Sequence, residues 1–516
     1  MPVLIENPIL PGFNPDPSIC RVGDDYYIAT STFEWFPGVQ IHHSRDLVNW
    51  RLLTHALRET RLLDLRGVPS SGGVWAPALS YHDGLFYLCY TIVHQHEAAT
   101  KDTPNFLITA PTIEGPWSDP IFVNASGFDP SLFHDDDGRK YWLNMVWDHR
   151  PGRHPFYGIA LQELDLDRKS LIGKAEIIFR GSDIRLTEGP HLYRRNDWYY
   201  LMTAEGGTEY EHAVSLARSR DLHGPYEVHP SNPVLTSFGR PELPLQKAGH
   251  ASLVETQTGQ WYMPHLCGRP LPGTQRCNLG RETAIQRVEW RDDDWLYLVG
   301  DDNAPQQQVA APDLPLHAWP ELPSRLPFDS IHYATPRIPS EHVKREADCL
   351  KLHGSESLES CFDQAMLARR LSCQQVTATT QLQFAPTSFQ QMAGLVVYYN
   401  TYLFHYLYLS HDEQIGRCLQ IHSCDDGKSS FPLGADPVPV PAGQLILRAK
   451  LDSTELRFAW STDGTQFTVF PQVLDASILS DDYGVHWGFT GTFIGLACQD
   501  LTGARQAATF DFLELQ

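Results

Sequence analysis

DPSICRVGDDYYIATST (residues 16–32) is the first of five related stretches in this chain. Each stretch joins a short apolar segment, a polar turn and a second segment rich in aromatic and β-branched residues, a pattern typical of β-hairpins. The others are APALSYHDGLFYLCYT (76–91), DPSLFHDDDGRKYWLNM (129–145), GPHLYRRNDWYYLMTAEG (189–206) and HASLVETQTGQWYMPHL (250–266). Their starts are separated by 60, 53, 60 and 61 residues, a regularity that indicates a repeated structural unit.

The outer half of the units carries further strand-like segments, such as HHSRDLVNW (42–50), TAPTIEGPW (109–117) and LARSRDLHGPY (216–226). We interpret each unit as four strands with almost no helix, which predicts an all-β fold with a five-bladed β-propeller over residues 1–300. A propeller brings the first strand of every blade to a central axis. Residues at equivalent positions of the five stretches should therefore converge, although they are far apart in the chain.

The repeat ends before residues 301–329, a segment rich in Pro and Gln that we interpret as a linker. Over residues 330–516 the apolar pattern changes. In QLILRAKL (444–451) apolar residues alternate with basic ones, and ELRFAWSTDGTQFTVF (455–470) has the pattern of a hairpin. We predict a second domain here, a β-sandwich of jelly-roll type, which either stabilises the propeller or binds carbohydrate.

The composition narrows the class of partner. The formal net charge is −22, from 62 acidic and 40 basic residues, so nucleic-acid backbones and anionic membranes would be repelled and neither is expected to bind. The 13 Trp, 21 Tyr and 24 Phe offer flat apolar faces that suit sugar rings, although aromatic β cores share this composition. The ten cysteines form no CxxC pair and no secretory signal is seen, so we expect reduced thiols and a cytoplasmic protein. A homodimer or homotetramer stays open.

Five side chains are expected where the first strands meet at the axis, namely Asp16, Trp75, Asp129, Glu188 and His250. Carboxyl groups at one concave site are what cleavage of a glycosidic bond requires, because one must protonate the departing oxygen and another must activate water or attack carbon. A third carboxylate can raise the pKa of the acid through its negative charge. For Asp16, which lies between two prolines, the alternative is a turn carboxylate.

A resemblance to a known family rests on seven motifs: NPDPS (14–18), FEWFPGVQIHHSRDLVNW (33–50), GVWAPALSYHDG (73–84), GFDPSLFHDDDG (127–138), TEGPHLYRRNDWYYL (187–201), AGHASLVETQTGQWY (248–262) and LGRETAIQ (279–286). Together they closely resemble glycoside hydrolase family 43, in particular its intracellular β-xylosidases with an appended C-terminal β-sandwich. The resemblance covers essentially the whole chain. It implies a five-bladed propeller and hydrolysis with inversion of anomeric configuration.

The resemblance also implies a role for each polar residue at the axis. Asp16 in NPDPS matches the general base, Glu188 in TEGPH matches the general acid, and Asp129 in GFDPS matches a third acid that orients Glu188 and raises its pKa. His250 in AGHAS matches a histidine that binds a central cation in relatives, commonly calcium. One Ca²⁺ or another divalent cation is the cofactor expected on this basis, and no organic cofactor is expected.

Four further residues match substrate-binding positions of the family. Phe33 and Trp75 resemble the walls of the sugar pocket, Arg281 in GRET is placed to bind sugar hydroxyls, and Phe493 in FTGTFIGL matches an aromatic residue on a sandwich loop that closes the pocket. The alternatives are ordinary blade packing for the two propeller aromatics, a surface ion pair with Glu282 for the arginine, and sandwich core for Phe493.

The function expected from the resemblance is an inverting, exo-acting β-1,4-xylosidase. It would release xylose from the non-reducing ends of xylo-oligosaccharides or xylobiose, with side activity on α-L-arabinofuranosides. The alternatives are an α-L-arabinofuranosidase of the same fold and a noncatalytic sugar-binding propeller. The last of these would not need three carboxyl groups.

Overall fold

Five consecutive β-sheets form the chain between residues 18 and 298. The structure, a computed structural model, describes residues 3–300, 302–346, 348–486 and 488–516. The strands up to residue 310 are β1 (Leu4–Glu6), β2 (Ser18–Val22), β3 (Asp25–Thr30), β4 (Trp35–Phe36), β5 (Gly38–Ser44), β6 (Arg51–Leu57), β7 (Gly73–His82), β8 (Leu85–Val93), β9 (Asn105–Ala110), β10 (Ile121–Asn124), β11 (Ser131–His134), β12 (Lys140–Trp147), β13 (Phe156–Asp165), β14 (Ser170–Phe179), β15 (Glu188–Arg195), β16 (Trp198–Glu205), β17 (Ala213–Ser219), β18 (Glu227–Val228), β19 (Leu235–Thr236), β20 (Gln246–Ala251), β21 (Val254–Glu255), β22 (Trp261–Gly268), β23 (Arg281–Trp290), β24 (Leu296–Leu298) and β25 (Gln308–Ala310).

Each sheet is one blade of an antiparallel propeller. The strand orders are β2-β3-β5-β6, β7-β8-β9-β10, β11-β12-β13-β14, β15-β16-β17-β18 and β20-β22-β23-β24, with β19 beside β17 and β21 beside β22. The polar turns seen in the sequence join the first strands of the blades; between β7 and β8, for example, Asp83 and Gly84 have positive φ of 49° and 79°, as a tight hairpin turn requires. The all-β fold and the five-bladed propeller are confirmed.

The segment before the first blade closes the ring by pairing with the fifth. The side-chain amide of Asn7 donates to the carbonyl of Ile285 and accepts from its N–H, both at 2.8 Å. Further along, the N–H of Leu10 donates to the carbonyl of Thr283 at 3.1 Å. Strand β25, within the segment interpreted as a linker, pairs with β1. The segment before the first blade therefore contacts both the fifth blade and the strand that follows the fifth blade.

The second domain is a sandwich of two β-sheets, as predicted. Its strands are β26 (Tyr333–Pro336), β27 (Val343–Arg345), β28 (Leu350–His353), β29 (Ala365–Arg370), β30 (Gln375–Gln383), β31 (Gln391–Asn400), β32 (Leu403–Asp412), β33 (Gly416–Asp425), β34 (Lys428–Ser430), β35 (Val438–Pro439), β36 (Leu445–Asp452), β37 (Glu455–Ser461), β38 (Thr468–Val469), β39 (Leu474–Asp475), β40 (Phe493–Asp500) and β41 (Ala507–Leu515), with a 3₁₀ turn at Ala476–Ile478. One sheet has β31, β40 and β29 at its centre and the other has β41, β30 and β36. No helix of the described residues is long and apolar enough to cross a membrane.

The two domains share a sheet and an apolar cluster. Strand β4 leaves the first blade and pairs with β26 of the sandwich. The ring of Trp35, in β4, stacks on that of Phe493 with centroids 3.6 Å apart. Both rings are fully buried and belong to a hydrophobic cluster that also contains Phe13 and Trp75 of the propeller. Burying large aromatic surfaces across the boundary fixes the sandwich against one face of the propeller.

Candidate active site

Four of the five blades place a residue with left-handed backbone at the start of the repeated stretch. Asp16 has φ of 56°, Asp129 of 55°, Gly189 of 56° and His250 of 44°. This conformation costs a residue other than glycine about 1–2 kcal/mol, and it persists only where surrounding contacts hold it. Four of the repeated stretches therefore share a left-handed backbone conformation at their first residue. It places each of these residues at one end of the axis.

A cavity of about 390 Å³, including its open mouth, lies at this end of the axis. The structure brings together in its lining seven of the eight sequence-predicted site residues, the exception being Phe493. The lining consists of Asp16, Phe33, Trp75, Ala76, Phe128, Asp129, Glu188, Thr208, His250, Arg281 and Phe489.

Asp16 is surrounded by groups that favour its ionised form. Its Oδ2 accepts a hydrogen bond of 2.6 Å from the hydroxyl of Ser31. Its Oδ1 lies 3.3 Å from Nη1 of Arg281 and 3.6 Å from Nδ1 of His250. Burial raises the pKa of Asp16, but the charge of Arg281, the His250 ring and the Ser31 hydroxyl together outweigh burial, and the pKa ends below its usual value. Asp16 is therefore a carboxylate at neutral pH.

Glu188 and Asp129 have the opposite electrostatic state. Burial, followed by the negative charge of Asp16, raises the pKa of Glu188 to about 8, while Arg281 and Lys101 act in the other direction. Burial, together with Glu188 and Asp16, raises the pKa of Asp129 well above its usual value. Oδ2 of Asp129 accepts a hydrogen bond of 3.0 Å from the N–H of Gly189, the residue after Glu188. Asp129 thus holds the backbone beside Glu188, which carries a proton at neutral pH.

Arg281 connects Asp16 to the fourth blade and to the sandwich. Besides Asp16, its Nη1 donates to the hydroxyl of Thr208 at 2.8 Å, and its Nη2 donates to the carbonyl of Phe489 at 3.0 Å. Its guanidinium also faces the rings of Phe33 and Phe489, at 5.2 and 5.4 Å from their centroids. With 4% of its surface exposed, it is not the surface ion pair considered as an alternative. Arg281 therefore links the first, fourth and fifth blades to the sandwich.

Four aromatic rings form the apolar wall of the cavity. Trp75 lies at its centre, with ring centroids 5.1 Å from Phe128, 5.6 Å from Phe489 and 6.1 Å from Phe33. Its indole N–H donates a hydrogen bond of 2.9 Å to the carbonyl of Ser71, so the ring is held in one orientation. Such a wall presents flat faces to the apolar side of a ligand.

The sandwich contributes a ring to the cavity, but the ring is Phe489 and not Phe493. Phe493 begins β40 and is fully buried against Trp35 in the domain interface, so the core alternative describes its position. Phe489 lies four residues earlier, before the strand, and its N–H donates to the hydroxyl of Ser71 at 3.0 Å. The ring therefore comes from the predicted segment FTGTFIGL (489–496), although not from the predicted residue. The residue differs because strand pairing with β29 and β31 turns Phe493 inward.

Phe128, Thr208 and Phe489 were not selected from the sequence. Phe128 is adjacent to Asp129 in the quoted GFDPS motif, so its position next to a predicted axial residue was an available signal. Thr208 lies in the connection between β16 and β17, where no periodic pattern exists. Its role becomes visible only through the bond from Arg281.

His250 is buried beside Asp16, and burial, its largest influence, lowers its pKa, while the charge of Asp16 acts in the other direction. At Gly189, whose φ is +56°, a Cβ atom would lie 3.0 Å from the His250 ring, so a side chain there would require that ring to move. Within the described part of the chain, no three His, Cys, Asp or Glu side chains are grouped as a metal site. Calcium takes six to eight oxygen ligands. The residues present do not fit a protein-built calcium site, and no step derived below depends on a cation.

The arrangement is suited to acid–base chemistry at a small, partly apolar site. An ionised carboxylate can accept a proton from water, and a protonated carboxyl of raised pKa can donate one to a leaving oxygen. Two carboxyl groups whose surroundings separate their pKa values are the pattern by which one site performs both tasks. Hydrolysis of a glycosidic bond needs this pair.

Comparisons with known proteins agree with this chemistry. Residues 5–296 match the model of glycosyl hydrolases family 43, and residues 327–516 match a beta xylosidase C-terminal concanavalin A-like domain. The chain is 49% identical over 530 residues to a beta-xylosidase of Bacillus subtilis, covering 98% of both chains. It is also 49% identical over 529 residues to xylosidase/arabinosidase 43B of Humicola insolens, covering 98% of this chain and 97% of the relative. The crystal structure of a xylan beta-1,4-xylosidase from Bacillus halodurans superimposes with a TM-score of 0.97 at 51% identity, covering 99% of this chain and 100% of that one. The chain is therefore a member of glycoside hydrolase family 43.

Proposed function

We propose that this glycoside hydrolase is an inverting, exo-acting β-1,4-xylosidase that releases xylose from the non-reducing ends of xylo-oligosaccharides. The observation that carries the proposal is the opposite protonation of Asp16 and Glu188 in one small cavity. A noncatalytic sugar-binding propeller would gain nothing from separating the two pKa values. The xylosidase names of the relatives support the choice of sugar.

The reaction follows from the two protonation states. Asp16 accepts a proton from a water molecule as the water oxygen attacks the anomeric carbon. The bond from that carbon to the glycosidic oxygen breaks, and Glu188 gives its proton to the departing oxygen. Attack and departure occur on opposite faces of the sugar, so a β-linked xyloside yields α-xylose. Asp129 supports the step by holding the Gly189 N–H, and with it the backbone that carries Glu188.

Exo action is supported by the closed side of the cavity. The Phe489 ring comes from the sandwich and is fastened through its carbonyl to Arg281 and through its N–H to Ser71. This wall, added to the propeller's own aromatic rings, leaves a small cavity that accepts a chain end more readily than the middle of a polymer. The product is then a single sugar per cleavage.

The stereochemistry of the product tests this mechanism directly. The protein is mixed with xylobiose, and the anomeric protons are followed by NMR before mutarotation. We expect α-xylose as the first-formed product from the non-reducing residue, and β-xylose formed first would refute inversion. Asp16→Ala protein, purified in the same way, is the control for a contaminating hydrolase.

A second activity, on α-L-arabinofuranosides, is favoured by one observation. The Humicola relative, as similar to this chain as the Bacillus one, is named for both xylosidase and arabinosidase. A small cavity with one arginine and three carboxyl groups can bind the hydroxyls of either pentose. The ratio of kcat/KM for aryl β-xylopyranoside to that for aryl α-L-arabinofuranoside decides which activity dominates. We expect the xyloside to be preferred, and a ratio below one would make the arabinofuranosidase assignment the better one.

A further inference from the structure

Glu205 is a buried carboxylate that the proposed chemistry does not use. It is the last residue of β16 and none of its surface is exposed to solvent. Its two oxygens accept four hydrogen bonds, which come from the N–H of Ser182 (2.7 Å), the hydroxyl of Ser182, the hydroxyl of Thr187 (2.7 Å) and the hydroxyl of Ser215 (2.6 Å). Three of the four donated hydrogens belong to the segment 182–187, which leads directly into the general acid.

The segment before Glu188 has an unfavourable backbone that needs external support. Arg185 and Leu186 are consecutive residues with positive φ, 69° and 54°. Each costs about 1–2 kcal/mol in this conformation. The N–H of Gly206, the residue after Glu205, donates to the carbonyl of Arg185 at 2.8 Å. The side chain of Glu205 and the backbone N–H of Gly206 therefore both hold the segment 182–187 through hydrogen bonds.

Gly181, the residue before Ser182, also lies close to the Glu205 carboxylate. At Gly181 an added Cβ would lie 2.1 Å from the Thr187 hydroxyl oxygen and 2.9 Å from a carboxylate oxygen of Glu205. The φ of Gly181 is +90°, so glycine is required both by its backbone and by its neighbours. The chain thus crosses closely over the carboxylate before it reaches Thr187.

We propose that Glu205 is a positioning residue for the general acid: its hydrogen bonds to Ser182 and Thr187 fix the strained segment that sets the place of Glu188 against the glycosidic oxygen. The inference rests on the proposed role of Glu188. Thr187 is covalently adjacent to Glu188, so a shift of its hydroxyl is passed to the acid without an intervening contact. A displacement of about 1 Å of a reacting group can cost about a hundredfold in rate.

The experiment exploits the fact that only poor leaving groups need a proton. The kcat/KM values of Glu205→Gln and Thr187→Val are measured on xylobiose and on dinitrophenyl β-xyloside, whose leaving group departs without protonation. We expect kcat/KM to fall about ten- to hundredfold on xylobiose and to change little on the aryl xyloside. Thr203→Val is the matched control, because Thr203 lies on the same strand, is buried, and its hydroxyl has no hydrogen-bond partner among the residues that the structure describes. It should leave both values unchanged.

Each other result has a definite meaning. Equal losses on the two substrates would show that Glu205 only stabilises the fold and would overturn the inference, as would no loss on either. If Glu205→Gln does not fold, Thr187→Val decides the matter, because it keeps the size of the side chain and removes only the donor. Glu188→Ala is measured in parallel. If that variant loses activity equally on both substrates, the acid assignment fails, and with it the proposed function, whatever Glu205 does.

Discussion

The surroundings of Asp16 and of Glu188 differ although both are carboxyl groups facing the same cavity. Asp16 contacts a guanidinium, an imidazole and a hydroxyl, and its pKa is lowered. Glu188 has burial and a neighbouring negative charge as its main influences, and its pKa is raised to about 8. The neighbours of each residue therefore set its protonation state, since both side chains carry the same carboxyl group, and the proposed base and acid roles rest on that difference.

Removing either carboxyl group should have the largest effect. We expect Asp16→Asn and Glu188→Gln each to lower kcat/KM on xylobiose by about 10³-fold, because general acid or base assistance contributes rate factors of that order. The two variants should differ on an aryl xyloside with a good leaving group, which restores activity to Glu188→Gln only. Rescue of both variants, or of neither, would contradict the separate roles.

Removing the positive charge of Arg281 should have the next largest effect. We expect Arg281→Met to lower kcat/KM by about 10²-fold. Because Arg281 lowers the pKa of both Asp16 and Glu188, its loss raises both, and both limbs of the pH profile should move to higher pH. The control is Arg287→Met, on the same strand but outside the cavity lining. Limbs that stay in place would remove Arg281 from the electrostatic account.

The unmodified protein should show the comparison in its pH profile. Asp16 must be deprotonated, so kcat/KM should fall only when the pH drops below the usual carboxyl range, through the lowered pKa of Asp16. Glu188 must be protonated, so kcat/KM should fall about tenfold per pH unit above its pKa of about 8. A fall on the alkaline side that begins near pH 5 would show that Glu188 is not the acid of raised pKa.

The smallest effect is expected from the hydroxyl beside the base. Ser31→Ala removes the hydrogen bond of 2.6 Å to Oδ2 of Asp16. The charged form of Asp16 loses one donor, so its pKa should rise and the acid limb should move slightly to higher pH. The alkaline limb should not move, and a shift there would mean that Ser31 acts on Glu188 as well.

Much of the fold and the core of the site followed from the spacing of the repeat. The positions of Asp16, Asp129 and Glu188 were predictable because blade geometry converts a regular separation in the chain into a common end of the axis. The left-handed backbone of Asp16 and Asp129 was not predictable, because a positive φ is uncommon for any residue other than glycine. The sequence reading also missed Glu205, since a glutamate before two glycines is typical of an ordinary turn.

The contacts between the two domains were harder to predict from the sequence than the repeat. Trp35 and Phe36 lie inside the first blade's sequence, yet they pair with Thr335 and Pro336 of the sandwich. Phe489 and Phe493 lie four residues apart in one apolar segment. Which ring faces the cavity depends on where β40 begins, and that is set by strands more than ninety residues earlier, such as β31 (register Tyr398↔Phe493). Long-range pairing of this kind leaves no local signal.

The bond from Arg281 to the carbonyl of Phe489 spans 208 residues of chain. A ribosome therefore releases the whole propeller, with all three carboxyl groups, well before the ring that completes the cavity is synthesised. During that interval the nascent chain contains Asp16 and Glu188 but lacks Phe489, one of the four aromatic rings of the cavity. The order of synthesis therefore places the ring from the sandwich last among the residues that line the cavity.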